Sequence, residues 1–154
     1  MWQGSVVSVH LALGAGEPMQ SPPCIEAIAG KGIRNDRYCN QVGHFSYIKE
    51  PRRQVTLFES EVLATILRDH RVELRPDECR MNIVTRDVPL THLVNQVFQV
   101  GHATLRGLKL NEPCSRLKEV TGKRIIKALI HRCGLFAEVL ESGEIRNGDL
   151  IHCH

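Results

Sequence analysis

GLFAEVLESGEIRNGDLIHC, residues 134–153, reads as short strands separated by turns. Residues 135–140 (LFAEVL) are β-prone, the ESGE turn at 141–144 interrupts them, and a strand pattern resumes on either side of Asn147-Gly148. Asn-Gly tolerates positive φ at both positions, which is what a tight turn between strands demands. The same texture runs back through the chain. Residues 5–13 form a β-rich run stopped by GAGEP, and 25–29 form a second run ended by GKG. QVTLF (54–58) reads as a strand with Val55 and Leu57 on one face, and NIVT (82–85), QVFQV (96–100) and ATLRGLKL (103–110) follow.

Only two stretches carry helical periodicity. Residues 59–70 place Val62, Leu63, Ile66 and Leu67 on one side, with Ser60 as a cap. Residues 122–132 turn Ile125, Ile126, Leu129 and Ile130 inward, and Gly134 ends them. Many short strands and two helices predict a mainly β domain, a barrel or sandwich with peripheral helices. Residues 30–53 make a long irregular loop, the kind that often carries function.

A chain of 154 residues predicts one domain, residues 1–154, large enough to bury a real core. A formal charge of +3 does not point to a nucleic-acid partner and suits a small anionic ligand. The six cysteines form no C-x-x-C pair, and the N-terminus lacks a charged segment ahead of an apolar one. The expectation is a cytoplasmic protein with reduced thiols and no membrane span.

The chemistry-bearing candidates begin with LNEPCSRLKE, residues 110–119. Cys114 sits among polar side chains, whereas a cysteine used as a small hydrophobe keeps apolar company. It is either a loop thiol without a role or a thiolate placed to react, with Arg116 and Lys118 nearby to favour the charged form. Arg34, Arg37, Arg52, Arg53, Arg80 and Arg86 concentrate in or beside loops. They are either solvated cations or a cluster for a phosphorylated ligand, which planar guanidinium groups bind bidentately. Asn82 either bonds a ligand or satisfies a turn. His131 and Cys133 read as packing residues at a helix end, and His152-Cys153-His154 as a frayed tail. Cys24, Cys39 and Cys79 have no spacing that demands a shared metal.

Five stretches in order, GKGIRNDRY (30–38), RRQVTLFESEVL (52–63), RMNIVTRDVPLTHL (80–93), FQVGHATLRGLKLNEPCSRL (98–117) and GLFAEVLESGEIRNGDLI (134–151), resemble the MOSC family, the molybdenum cofactor sulfurase C-terminal domain. The resemblance implies a MOSC-type β-barrel and a functional cysteine at Cys114, which ligates molybdenum or carries sulfur as a persulfide. It also implies that Arg37, Arg80 and Asn82 contact the pterin and its phosphate.

The implied function is molybdenum-cofactor-dependent reduction of N-hydroxylated compounds, with a small-molecule substrate and a separate redox partner. The alternatives are a persulfide carrier working with a sulfur donor or acceptor protein, and a module that binds or delivers molybdopterin without turnover. The pyridoxal phosphate domain of the eukaryotic sulfurases is absent, so that cofactor is not expected on this chain. Asn35 replaces a common glycine, and Cys133 stands where a glycine is usual. Asn111 occupies the position of a second cysteine in close relatives, so no disulfide at that spacing can form.

Overall fold

A computed structural model describes residues 1–48 and 51–153, apart from the side chain of Arg52. Seven strands close into a barrel in the order β1 (Gln3–Val9), β10 (Leu150–Cys153), β6 (Val97–Val100), β7 (Ala103–Leu110), β8 (Leu135–Glu141), β4 (Val55–Glu59) and β5 (Ile83–Arg86). All neighbours are antiparallel except β4 and β5, which run parallel. A parallel pair needs a crossover, and α1 (Glu61–His70) lies within it. A three-stranded sheet of β3 (Gly32–Ile33), β2 (Cys24–Ile28) and β9 (Gly143–Arg146) stands beside the barrel.

Two cores result. Val9, Leu57, Ile83, Phe98, Leu105 and Ile151 belong to the barrel core, all fully buried. Outside the barrel, Phe58 packs with Val62 and Ile66 of α1, with Leu117 of α2 (Ser115–Thr121), and with Ala128 and Leu129 of α3 (Ile126–Leu129). Cys79, Met81 and Cys133 complete this second core. β4 is therefore buried on both faces, one against each core. Burying Phe58 and Ile66 away from water contributes about 1.5–3 kcal/mol per side chain, which keeps the helices on the barrel wall.

Several local expectations are revised. The first helix starts at Glu61, because Glu59 still pairs in β4; Ser60 adopts helical angles and its side chain caps nothing. Leu67 points outward and is exposed. The expected helix over 122–132 is two shorter ones: Gly122, at φ +69°, ends α2, and α3 covers four residues. Ile130 is its C-cap and is exposed. The terminal residues 152 and 153 are not frayed; β10 pairs with β1 and β6, and His154 lies outside the described residues. The Asn147-Gly148 turn forms, but it joins β9 of the small sheet to β10 of the barrel rather than closing a hairpin. Among the described residues, no helix is long and apolar enough to cross a membrane.

Candidate functional site

An open cleft of about 620 Å3 lies where the second core meets the 37–45 loop. Its lining includes Arg37, Arg80, Cys114 and Arg116, together with the aromatic rings of Tyr38, Phe45 and Phe136. Cys114 precedes α2 in an extended conformation and its side chain is exposed. The segment before it is fastened to the start of β8. Leu110 pairs with Leu135, the Asn111 amide donates to the Gly134 carbonyl at 2.8 Å, and the Glu112 carboxylate accepts from the His131 amide at 3.0 Å. Gly134 in turn lies close against β4: its φ is +97°, and a Cβ there would overlap the Leu57 carbonyl oxygen.

Arg37 is buried against Asp36, whose carboxylate also accepts from the amides of Ala12 and Tyr38. The guanidinium donates to the Arg80 carbonyl at 3.4 Å and lies over the Tyr38 ring, 4.7 Å from its centre. Arg80 takes a left-handed conformation, φ +62°, just after the 3-10 turn Pro76–Cys79, and its side chain donates to the Glu17 carbonyl. Burial first, then Arg37 and Arg116, pulls the Arg80 guanidinium down to about 10. Four arginines, Arg37, Arg53, Arg80 and Arg116, therefore line one cleft, and Asp36 is committed to Arg37. Arg116 faces Glu119 only at 3.9 Å. The surplus positive charge fits an anion such as a phosphate.

Asn82 stands behind this wall. Its Oδ1 accepts from the Thr56 amide (3.1 Å) and hydroxyl (3.2 Å), and its Nδ2 donates to the His10 carbonyl at 3.1 Å. Thr56 lines the cleft. The structure thus brings Arg37, Arg80 and Cys114 to one cleft and links Asn82 to it through Thr56. Arg34 pairs with Glu26 on the surface, and Arg86 ends β5 as an exposed residue outside the cleft lining. Arg53 lines the cleft with its guanidinium 4.5 Å from the Phe45 ring centre and 4.6 Å from that of Phe136. Arg52 lies outside the side chains described.

Sequence reading had noted Arg116 only as a neighbour of Cys114, and it passed over the aromatic lining. Tyr38, directly after Arg37, was the available signal for the latter. Two further thiols, Cys133, read from the sequence as a packing residue, and Cys79, read as having no metal-ligand spacing, line the same cleft and are buried. Burial pushes both thiols up, Cys133 to about 12, with Cys114 and Glu112 adding to the effect at Cys133 and Cys133 adding to it at Cys79. Among the described residues, no group of three or more His, Cys, Asp or Glu side chains is arranged to hold a metal ion. Cys114 alone offers an exposed soft donor here, which fits a metal that brings its other ligands within an anionic cofactor.

Solved structures of similar fold include the YuaD protein of Bacillus subtilis, at TM-score 0.81 and 18% identity, covering 100% of both chains. YiiM of Geobacillus stearothermophilus aligns at TM-score 0.71 and 14% identity over 98% of this chain and 75% of that one. YiiM of Escherichia coli aligns at 0.67 and 14%, over 100% of this chain and 70% of that one. No curated protein sequence matches significantly. The family model for the MOSC domain matches residues 41–152, from the cleft loop through β10 and so well over half of the chain. On the barrel and that match, the chain belongs to the MOSC domain family.

Proposed function

We propose that the cleft binds molybdenum cofactor, with Cys114 as the protein's ligand to the metal and Arg80, Arg37 and Arg116 facing the pterin phosphate. The observation that carries this reading is the gathering of Arg37, Arg80 and Arg116 in one cleft with an exposed cysteine, where burial first and then repulsion from Arg37 and Arg116 lowers the Arg80 pKa. An anionic ligand relieves that repulsion, so part of its binding energy comes from charge the fold has already assembled. Arg37 is held by Asp36 and supports the wall; Arg80 and Arg116 are the more adaptable contacts. Asn82 acts through Thr56, keeping that stretch of β4 in place.

When bound, the cofactor supplies the two-electron reduction of an N-hydroxylated substrate, drawing electrons from a separate redox partner. The Tyr38, Phe45 and Phe136 rings offer apolar surface to a planar ligand and exclude water from that side. The test is metal and pterin analysis of protein purified from a host that makes the cofactor. Molybdenum and pterin should copurify with the wild type and fall sharply in Arg80→Ala. Wild-type protein free of both under those conditions overturns the proposal.

A second reading has its own observation. Cys79 and Cys133 line the same cleft as Cys114, an arrangement that metal ligation by one thiolate does not require. In that reading Cys114 carries sulfur as a persulfide.

A further inference from the structure

Three thiols line the cleft. Cys79 is buried, Cys133 is buried, and Cys114 is exposed at the opening. Asn111, three residues before Cys114, reaches Cys133: its Nδ2 donates to the Cys133 carbonyl at 3.1 Å and lies 3.7 Å from the Cys133 sulfur. The Asn111 amide donates in turn to the Gly134 carbonyl, so the segments carrying the two cysteines share a fastening. Beyond Asn111, residues 112–114 have no ladder pairing; the Glu112 carboxylate accepts from the His131 amide, two residues before Cys133, and Cys114 stands exposed ahead of α2.

We propose that Cys133 is the resolving thiol of the Cys114 site, attacking a Cys114 persulfide at the Cys114 sulfur. This rests on the persulfide-carrier reading. The Cys133 sulfur bonds to the Cys114 sulfur, the bond from Cys114 to the terminal sulfur breaks, and that sulfur leaves as hydrosulfide with the Cys133 proton. The product is a Cys114–Cys133 disulfide, so one hydrosulfide is released for each disulfide formed. The sulfane sulfur is reduced as the two cysteines are oxidised, and a dithiol reductant returns both to thiols.

The division of labour follows from exposure. Cys114 is reachable by a bulky sulfur donor, whereas Cys133 is buried, so external reagents do not consume it first. Asn111 is a donor placed beside the developing thiolate. The pairing does not depend on a C-x-x-C spacing, since the fold brings together residues far apart in sequence.

Two treatments of the reduced full chain test this. In the first, an aromatic disulfide reagent is added and the products are mapped by tryptic mass spectrometry. The wild type should yield the peptide of residues 110–116 linked to that of residues 133–146 and release two aromatic thiolates from this pair. Cys133→Ala, which adds no buried hydroxyl, should stop at the mixed disulfide on Cys114. In the second, inorganic polysulfide replaces the reagent. The wild type should release hydrosulfide and form the same linked peptide, while Cys133→Ala retains the persulfide on Cys114. Circular dichroism of the variant checks that it folds, and Cys79→Ala should behave as the wild type.

A stable mixed disulfide on wild-type Cys114, or linkage of Cys114 to another cysteine, overturns the pairing. Linkage with the aromatic reagent but no sulfur uptake from polysulfide overturns the persulfide step and the carrier reading, and leaves the dithiol pair standing. Sulfur uptake that persists on wild-type Cys114 overturns the resolving role and leaves the carrier reading intact.

Discussion

Asn111 and Cys133 are joined across the mouth of the cleft by a 3.1 Å hydrogen bond from the Asn111 side-chain amide to the Cys133 carbonyl. The bond reaches 22 residues along the chain and links the end of β7 to the start of β8, beyond their last paired residues. It therefore holds the approach to Cys114 against the second core, where Cys133 packs. At the residue where a second cysteine would have allowed a local disulfide, the fold has a polar clasp on a distant cysteine.

Asn111→Ala removes that clasp while the backbone bond to Gly134 remains. The expected loss is about 1 kcal/mol, the scale of one hydrogen bond, read as a lower midpoint in urea unfolding. Native-state alkylation of Cys133 should also speed up, because its cover loosens. An unchanged midpoint with unchanged labelling would show that the clasp has no influence on the site.

Arg80 and Arg37 should respond differently to alanine. Arg37→Ala leaves the buried Asp36 carboxylate without its cation, and removing one partner of a buried pair costs about 3–5 kcal/mol of stability. Arg80→Ala removes a half-buried cation that two other arginines repel, so the fold should lose little. Its effect should instead appear in cofactor affinity, weakened by about 1.5–3 kcal/mol, as for a charge-assisted hydrogen bond. Thermal melts and titration with purified cofactor separate the two; equal destabilisation of both variants would contradict the assignment.

His10 makes stability depend on pH. Its ring accepts or donates between the Ser8 and Ser21 hydroxyls at 2.8 and 2.7 Å. Burial lowers its pKa below the ordinary 6.5, with Asp77 opposing the shift. Folding thus favours the neutral ring, and the unfolded chain binds the extra proton between the two pKa values. The contribution is complete above about pH 6.5 and is lost as pH falls through the folded value. Melting temperatures from pH 7.5 downward should fall more steeply for the wild type than for His10→Gln.

Cysteine labelling provides a direct map of the site. Burial pushes the Cys133 thiol up to about 12, so it holds little thiolate at neutral pH and is also shielded from reagents. Under native conditions iodoacetamide should modify exposed Cys114 well before Cys79 or Cys133, and peptide mapping over time shows the order. Labelling of Cys133 at the same rate as Cys114 would mean that the second core opens readily.

Strand content was legible in the sequence because alternation and turn residues are local properties. ATLRGLKL appears as β7 with the expected limits, and the other expected strands shift by a few residues at most, apart from residues 5–13, where β1 ends at Val9. The five matched stretches named the family, and the barrel and family match agree with it. α2 escaped because Leu117 is its one fully buried residue, so packing rather than periodicity stabilises so short a helix. Asn147-Gly148 announced a turn but could not say that β9 and β10 would part, since strand partners are chosen by distant residues. The candidate site divides in the same way. Cys114 stood out by its polar neighbours, and Arg37 and Arg80 by resemblance. Only the packed chain decided that these three share a cleft with Arg116, that Asn82 is committed to Thr56 and His10, and that Cys133 lines the same cleft as Cys114. Those outcomes depend on burial and on contacts between residues distant in sequence, which no local pattern encodes.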